Sequence, residues 1–181
     1  MSQDTKLNKE ILRLAIPNIL SNVSVPLLSS VDTALMGHES VKHLGAVGVG
    51  AMIFNFLYWN FGFLRMGTTG FTAQAFGAKD RTEVISTLFR ALFLSVLIAL
   101  ILILAAPFIG AVATKLMFVQ DNQLDLVLSY FSIRILAAPA SLILFAMFGW
   151  FFGMQNSVYP LFITISLNIT NIIVSYFLVK D

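Results

Sequence analysis

Five long apolar runs, joined by short connections, constrain this chain more than any other feature of its sequence. Each run has at least the roughly 20 apolar residues that cross a bilayer as an α-helix. Of the 181 residues 58% are hydrophobic and 11% are charged, and a soluble domain this short cannot bury so much apolar surface. The sequence therefore predicts an all-α integral membrane protein. A tail at 1–10 precedes a transmembrane region at 11–181, with spans at about 11–36, 44–75, 84–113, 125–152 and 159–179.

Lysine and arginine residues near the span ends predict the orientation, because cytoplasmic ends carry an excess of them. The side of the N-terminus carries the larger group, which consists of Lys6, Lys9, Arg13, Lys79, Arg81 and Arg90. The opposite side has only Lys42, Lys115 and Lys180. We therefore expect a multi-pass protein of the inner (plasma) membrane with its N-terminus in the cytoplasm.

Asp32 is the most informative polar residue, because it lies inside the first predicted span. A carboxylate within a span is costly and usually marks a functional site, although an Asp near the headgroups can also be satisfied by water or a neighbouring Arg. Helical spacing places it on one polar stripe with Asn18, Ser21 and Ser29. Pro17 and Pro26 each remove a backbone hydrogen bond from the same span, which favours a bend there.

The second span carries another polar stripe, at spacings of three and four residues. Its members are Asn55, Tyr58, Gly62, Arg65, Thr69 and Thr72. Arg65 falls near mid-membrane, where its guanidinium either serves a cavity or binds backbone carbonyls as a structural group. Arg134, in the fourth span, is a candidate counter-ion for Asp32 because the two lie at similar depth.

The fifth span places Asn168, Asn171 and Ser175 on one face. Amides in a bilayer must hydrogen-bond, so these side chains either join helices or bind an ion or substrate. Together the stripes predict a cavity lined by Asn18, Ser29, Asn55, Tyr58, Arg65, Asn168 and Ser175.

Other classes of function find little support in the sequence. There is no cysteine, no metal-binding motif, no nucleotide-binding motif and no Ser–His arrangement for nucleophilic catalysis. A net charge of +2, spread along the chain, gives no basic stripe for nucleic acid. We therefore expect no enzyme, no cofactor and no metal, with the bilayer and a small molecule as partners.

The order and spacing of several segments resemble the multidrug and toxic compound extrusion (MATE) transporters, in particular their DinF-like branch. LAIPNIL and SSVDTALMG lie in the first span, and FLRMGTTG and AQAFGAKD lie in the second. The resemblance implies twelve helices in two pseudo-symmetric lobes, of which this chain would contain five helices of the six-helix N-terminal lobe. The sixth helix and the C-terminal lobe would then be missing.

The resemblance also implies a function and assigns roles to residues. Members of this family exchange a cation for an outgoing amphipathic, often cationic, compound. Asp32 matches the acidic residue of the VDTA-type motif that couples ion to substrate, and Pro17 matches the proline where the first helix bends. Asn171 matches a family position in the fifth helix, but Ser175 replaces the acidic residue that follows it, which favours a proton over sodium.

Two further functions stay open at the level of the sequence. One is a lipid-linked saccharide flippase of the same superfamily, which would need several basic groups in its cavity, where only Arg65 and Arg134 qualify. The other is a membrane scaffold that transports nothing.

Overall fold

The computed structural model describes residues 8, 11–20, 23 and 41–180, and all regular secondary structure in this part is helical. The all-α class predicted from the sequence is therefore confirmed. The helices are α1 (Ile11–Leu20), α2 (Val41–Asn60), α3 (Gly62–Gly77), α4 (Arg81–Leu104), α5 (Ala106–Leu116), α6 (Asp121–Arg134), α7 (Ala138–Gly153) and α8 (Val158–Lys180).

Four stretches of the described residues are long and apolar enough to cross a membrane. They are Gly45–Gly77, Arg81–Leu104, Asp121–Gly153 and Val158–Ser175, and they overlap the second to fifth predicted spans. These helices agree with the predicted class of integral membrane protein. Apart from α1 and Val23, the predicted first span lies outside the described residues, so the count of five spans stays a prediction.

Prolines interrupt two of the stretches that the apolar pattern presents as continuous. The span predicted at 84–113 is divided at Ala105, which ends α4 and precedes Pro107 of α5. A short 3-10 turn, Ile135–Ala137, precedes Pro139 and separates α6 from α7. The physical reason is the same at both places, because a proline has no N–H and its ring clashes with the carbonyl four residues earlier.

The chain divides into two compact units. Ser40–Gly153 forms one unit and contains α2 to α7. The other unit contains the described residues of 1–39 and 154–181, with α1 and α8.

The larger unit is built from two blocks of three helices each. Helices α3, α4 and α7 pack against one another, whereas α6 packs against α2 and α5. The chain crosses between the blocks three times, at Phe61, at Ala105 and at Ile135–Ala137, and every crossing is a break in a helix. One apolar core extends through both blocks and includes Phe54 of α2 and Leu142 of α7.

Small residues let α3 and α7 approach closely. A Cβ atom added to Gly149 would lie 2.5 Å from the carbonyl oxygen of Arg65, and one added to Gly153 would lie 2.5 Å from the Cβ of Thr72. These pairings show that α3 and α7 run in the same direction. Close backbone approach at small residues is the usual way in which helices pack within a bilayer, where apolar burial contributes little to association.

In the smaller unit, side chains near the start of α8 satisfy the backbone. The Oδ1 atom of Asn156 accepts hydrogen bonds from the N–H groups of Val158 and Tyr159, at 3.1 and 3.4 Å. The hydroxyl of Ser157 donates to the carbonyl oxygen of Arg13 in α1, at 3.4 Å. The start of α8 is therefore capped and also joined to α1.

Candidate functional site

The guanidinium of Arg134, an exposed residue at the end of α6, lies against two aromatic rings. The Cζ atom of Arg134 lies 5.0 Å from the ring centre of Phe54 and 5.4 Å from that of Tyr130. Its Nη1 atom also donates a hydrogen bond to the hydroxyl of Tyr130, one helical turn earlier. The ring of Phe54, on α2, is fully buried and stacks on Phe131 with 5.1 Å between ring centres. We call Phe54, Tyr58, Tyr130, Phe131 and Phe145, together with Arg134, the Arg134 cluster.

The geometry of this cluster follows from helix periodicity and from a glycine. Tyr130 and Arg134 are four residues apart on α6, so their side chains lie on one face. The ring of Tyr130 covers Gly50 of α2, where an added Cβ would lie 2.3 Å from it. Any larger residue at position 50 would therefore displace the ring.

The cluster holds a permanent positive charge against aromatic faces. Such cation–π contacts are worth about 0.5–2 kcal/mol, and more when water is excluded. The expected partner of Arg134 is Asp32, which lies outside the described residues, so that ion pair stays a prediction. Within the described part of the chain, the one ion pair joins Arg90 to Glu83 instead.

Arg65 has a separate aromatic partner. Its Cζ atom lies 4.9 Å from the ring centre of Phe152 on α7, and the residue is partly buried. Its carbonyl oxygen accepts a hydrogen bond from the hydroxyl of Thr69 at 2.8 Å. The structure therefore places Arg65 in the contact between α3 and α7, and its predicted role in a cavity stays a prediction.

The remaining residues of the second-span stripe have different surroundings, because the helix breaks at Phe61. Asn55 is exposed on α2, whereas Tyr58 is partly buried and contacts the rings of Phe54 and Phe145. Thr72 is fully buried, and its hydroxyl has no hydrogen-bond partner among the described residues. Only Tyr58 of the stripe therefore belongs to the Arg134 cluster.

On α8, the structure brings together Asn171 and Ser175, as their spacing predicts. The hydroxyl of Ser175 donates to Oδ1 of Asn171 at 3.4 Å. Asn168 is partly buried, and its amide nitrogen has no hydrogen-bond partner within the described part of the chain. The amide nitrogen of Asn168 is therefore a buried donor without a partner among the described residues. Such a donor is expected where a residue binds a substrate or another helix.

Of the residues predicted in the first span, only two lie among the described residues. Pro17 and Asn18 are partly buried in α1, which continues as a helix to Leu20. Ser21, Pro26, Ser29 and Asp32 lie outside the described residues, so their predicted roles are untested.

The pattern of polar residues in the sequence does not predict several contacts at these sites. Phe54 and Phe152 hold the guanidinium groups, but nothing in their sequence context separates them from the other fifteen of the seventeen phenylalanines. The spacing of Gly149 and Gly153 is a signal that could have been used, because small residues four apart mark close helix packing.

The fold and these sites define an α-helical membrane protein in which two arginine side chains contact aromatic rings on neighbouring helices. The family model MatE matches residues 17–177, and the chain therefore belongs to the MatE family. The resemblance to the MATE transporters seen in the sequence is thus confirmed.

Individual relatives agree with this assignment. DNA damage-inducible protein F of Escherichia coli is 41% identical over 97% of this chain and 38% of its own length. Protein DETOXIFICATION 44, chloroplastic, of Arabidopsis thaliana is 30% identical over 96% of the chain and 36% of its own length. A probable multidrug resistance protein NorM of Thermotoga maritima is 32% identical over 56% of the chain and 22% of its own length. The chain thus spans less than two fifths of the length of these relatives.

Proposed function

We propose that this chain forms part of a cation-coupled antiporter that exports amphipathic, cationic compounds. The observation that carries the proposal is the 41% identity, over 97% of the chain, with DNA damage-inducible protein F, together with membership of the MatE family. The name of the Thermotoga relative, a probable multidrug resistance protein, supports export of drugs.

The Arg134 cluster adds a physical argument for a cationic substrate. Its rings already bind a guanidinium, with 5.0 Å between Cζ of Arg134 and the ring centre of Phe54. Phe54 has no exposed surface, so a flat organic cation would have to displace Arg134 and use the partly buried ring of Tyr130. A flippase for pyrophosphate-linked saccharides has less support, because Arg65 and Arg134 each face aromatic rings rather than one shared anion site.

For the coupling ion, we propose a proton bound at Asp32. Ser175 stands where the family pattern has a second acidic residue, and a lone carboxylate suits a proton better than sodium. Protonation would neutralise Asp32, and the first span would then bend at Pro17 or Pro26 and close the cavity. The equilibrium moves in this way only because the two shapes differ in their affinity for the proton.

Efflux of a fluorescent organic cation from membrane vesicles tests both parts of the proposal. The protein at its natural length is reconstituted, and proton and sodium gradients are imposed separately. We expect efflux with the proton gradient alone and loss of efflux in Asp32→Asn, whereas Asp125→Asn, at an exposed position on α6, transports normally. Normal efflux by Asp32→Asn at equal expression, or efflux driven only by sodium, would refute the assignment.

A further inference from the structure

A groove between α3 and α4 is separate from the Arg134 cluster and shares no residue with the proposed transport site. Its volume is about 340 Å³, which lies at the small end of the range for ligand pockets. Gly67 lines the groove, and an added Cβ there would meet nothing within 4 Å, so a larger side chain at this position would enter open space. The exposed rings of Phe63 and Phe71 line one side, and Ala91 and Leu94 of α4 line the other.

Two opposite charges stand at the edge of this groove. The Nη1 atom of Arg90 donates to Oε1 of Glu83 at 2.7 Å, and both residues line the groove. The side chains are 71% and 44% exposed, so both charges are accessible to a ligand. An exposed pair of this kind contributes little to stability, about 0–1 kcal/mol, which leaves it free to exchange partners.

The turn before α4 explains why the carboxylate of Glu83 faces the groove. Asp80 caps α4 by accepting a hydrogen bond from the N–H of Glu83 at 3.0 Å. In a capping box, the side chain of Glu83 would return this bond to the N–H of Asp80. That N–H is instead bonded to the carbonyl oxygen of Ala75. The carboxylate of Glu83 is therefore not used by the cap and is available to Arg90.

Polarity changes along the groove in the way that it changes along a lipid. Glu83 lies near the start of α4, close to the turn, and Leu94 lies about 16 Å further along the helix at 1.5 Å per residue. The end near the turn is charged, and the end with Phe63 and Leu94 is apolar. Helix α4 is long and apolar enough to cross a bilayer, so the apolar end lies at the depth of acyl chains.

We propose that the groove binds one zwitterionic phospholipid with an amine headgroup. The phosphate binds the guanidinium of Arg90, the ammonium binds the carboxylate of Glu83, and one acyl chain lies over Gly67 between Phe63 and Phe71. The phosphate replaces Glu83 as the partner of Arg90, and the ammonium replaces Arg90 as the partner of Glu83. No charge is therefore left unpaired. The phosphate of an anionic lipid would pair with Arg90, but its headgroup has no positive charge for Glu83. The negative charge of such a lipid would therefore repel the carboxylate.

Native mass spectrometry of the purified protein, with phosphatidylethanolamine and phosphatidylglycerol supplied in equal amounts, tests the proposal. We expect phosphatidylethanolamine to be retained preferentially. Glu83→Gln lowers this preference about tenfold, the size of one charge-assisted hydrogen bond, because only the ammonium distinguishes the two lipids. Arg90→Gln lowers retention of phosphatidylethanolamine by about the same factor, because it removes the group that binds the phosphate. Gly67→Leu fills the groove and lowers retention of both lipids.

Two variants serve as matched controls. Gly70→Leu adds the same side chain to α3 where nothing lies within 4 Å, but Gly70 does not line the groove. Arg81→Gln removes a charge from α4 away from the groove. Both should retain phosphatidylethanolamine as the parent protein does, which also shows that the folded state survives.

Four results would overturn the proposal. They are absence of retained lipid in the parent protein, equal or stronger retention of phosphatidylglycerol, equal losses in Arg90→Gln and Arg81→Gln, and a change in oligomeric state in Gly67→Leu with lipid retention unchanged. The last would assign the groove to a second copy of the chain. None of these measurements depends on transport, so the groove and the proposed function are tested separately.

Discussion

Gly149 of α7 lies directly against the backbone of Arg65 in α3: a Cβ added to Gly149 would stand 2.5 Å from the Arg65 carbonyl oxygen. Backbone atoms cannot move aside as the end of a flexible side chain can. The contact therefore requires glycine at position 149, and it fixes how closely α3 and α7 approach.

The first prediction concerns this contact. Gly149→Ala should lower the free energy of unfolding by about 1–3 kcal/mol, because the methyl group forces the helices apart. Gly70→Ala is the control, since an added Cβ there has open space and alanine favours a helix by about 0.5–1 kcal/mol. Thermal unfolding in detergent, followed by tryptophan fluorescence, measures both. Equal effects of the two substitutions would contradict the role assigned to Gly149.

The second prediction concerns the Arg134 cluster. A double-mutant cycle of Phe54→Leu with Arg134→Gln should give a coupling energy of about 0.5–2 kcal/mol, because the guanidinium lies 5.0 Å from that ring. The same cycle with Phe145→Leu is the control, since Phe145 contacts Tyr58 in the cluster. Its coupling with Arg134 should be close to zero. Chemical unfolding in detergent gives the four stabilities that each cycle needs.

The third prediction concerns the turn between α3 and α4. Lys79 has a φ of 60°, and the N–H groups of Lys79 and Asp80 bond to the carbonyls of Phe76 and Ala75, which is the Schellman arrangement at a helix end. Glycine is favoured at this position, so Lys79→Gly should raise stability by about 1 kcal/mol. Lys115→Gly, inside the last turn of α5, should lower it by a similar amount. A loss of stability in both variants would count against this account of the turn.

The fourth prediction concerns orientation in the membrane. The sequence has no cysteine, so one introduced cysteine can be labelled alone. In intact cells, a maleimide that cannot cross membranes should label Phe118→Cys, in the exposed turn after α5. Lys79→Cys, in the turn before α4, should be labelled only after the cells are permeabilised. The reverse pattern would place the N-terminus outside.

Much of the architecture could be predicted from apolar run length, because a span needs about 20 apolar residues whatever it packs against. The breaks at Ala105 and Ile135–Ala137 were also within reach, since Pro107 and Pro139 follow them closely. Hydropathy alone misses these breaks, because proline and alanine do not interrupt an apolar run.

The candidate site was harder to predict, because its contacts join residues far apart in the chain. Helical spacing predicts that Asn171 and Ser175 meet, since both lie on α8. It cannot predict that Arg65 meets Phe152 or that Arg134 meets Phe54, because those pairs depend on which helices become neighbours. Polar residues are easily recognised in an apolar span. The phenylalanines that contact the two arginines cannot be distinguished in the sequence from phenylalanines that face lipid.

The two blocks of the larger unit share an apolar core, and the backbone passes between them only at breaks in helices, at Phe61, Ala105 and Ile135–Ala137. A continuous helix resists bending along its whole length, whereas a break bends with little loss of hydrogen bonding. The backbone therefore bends most easily at these three breaks. A bilayer that thins or thickens around the protein would be accommodated by tilting one block on the other, while the close packing of α3 with α7 is preserved.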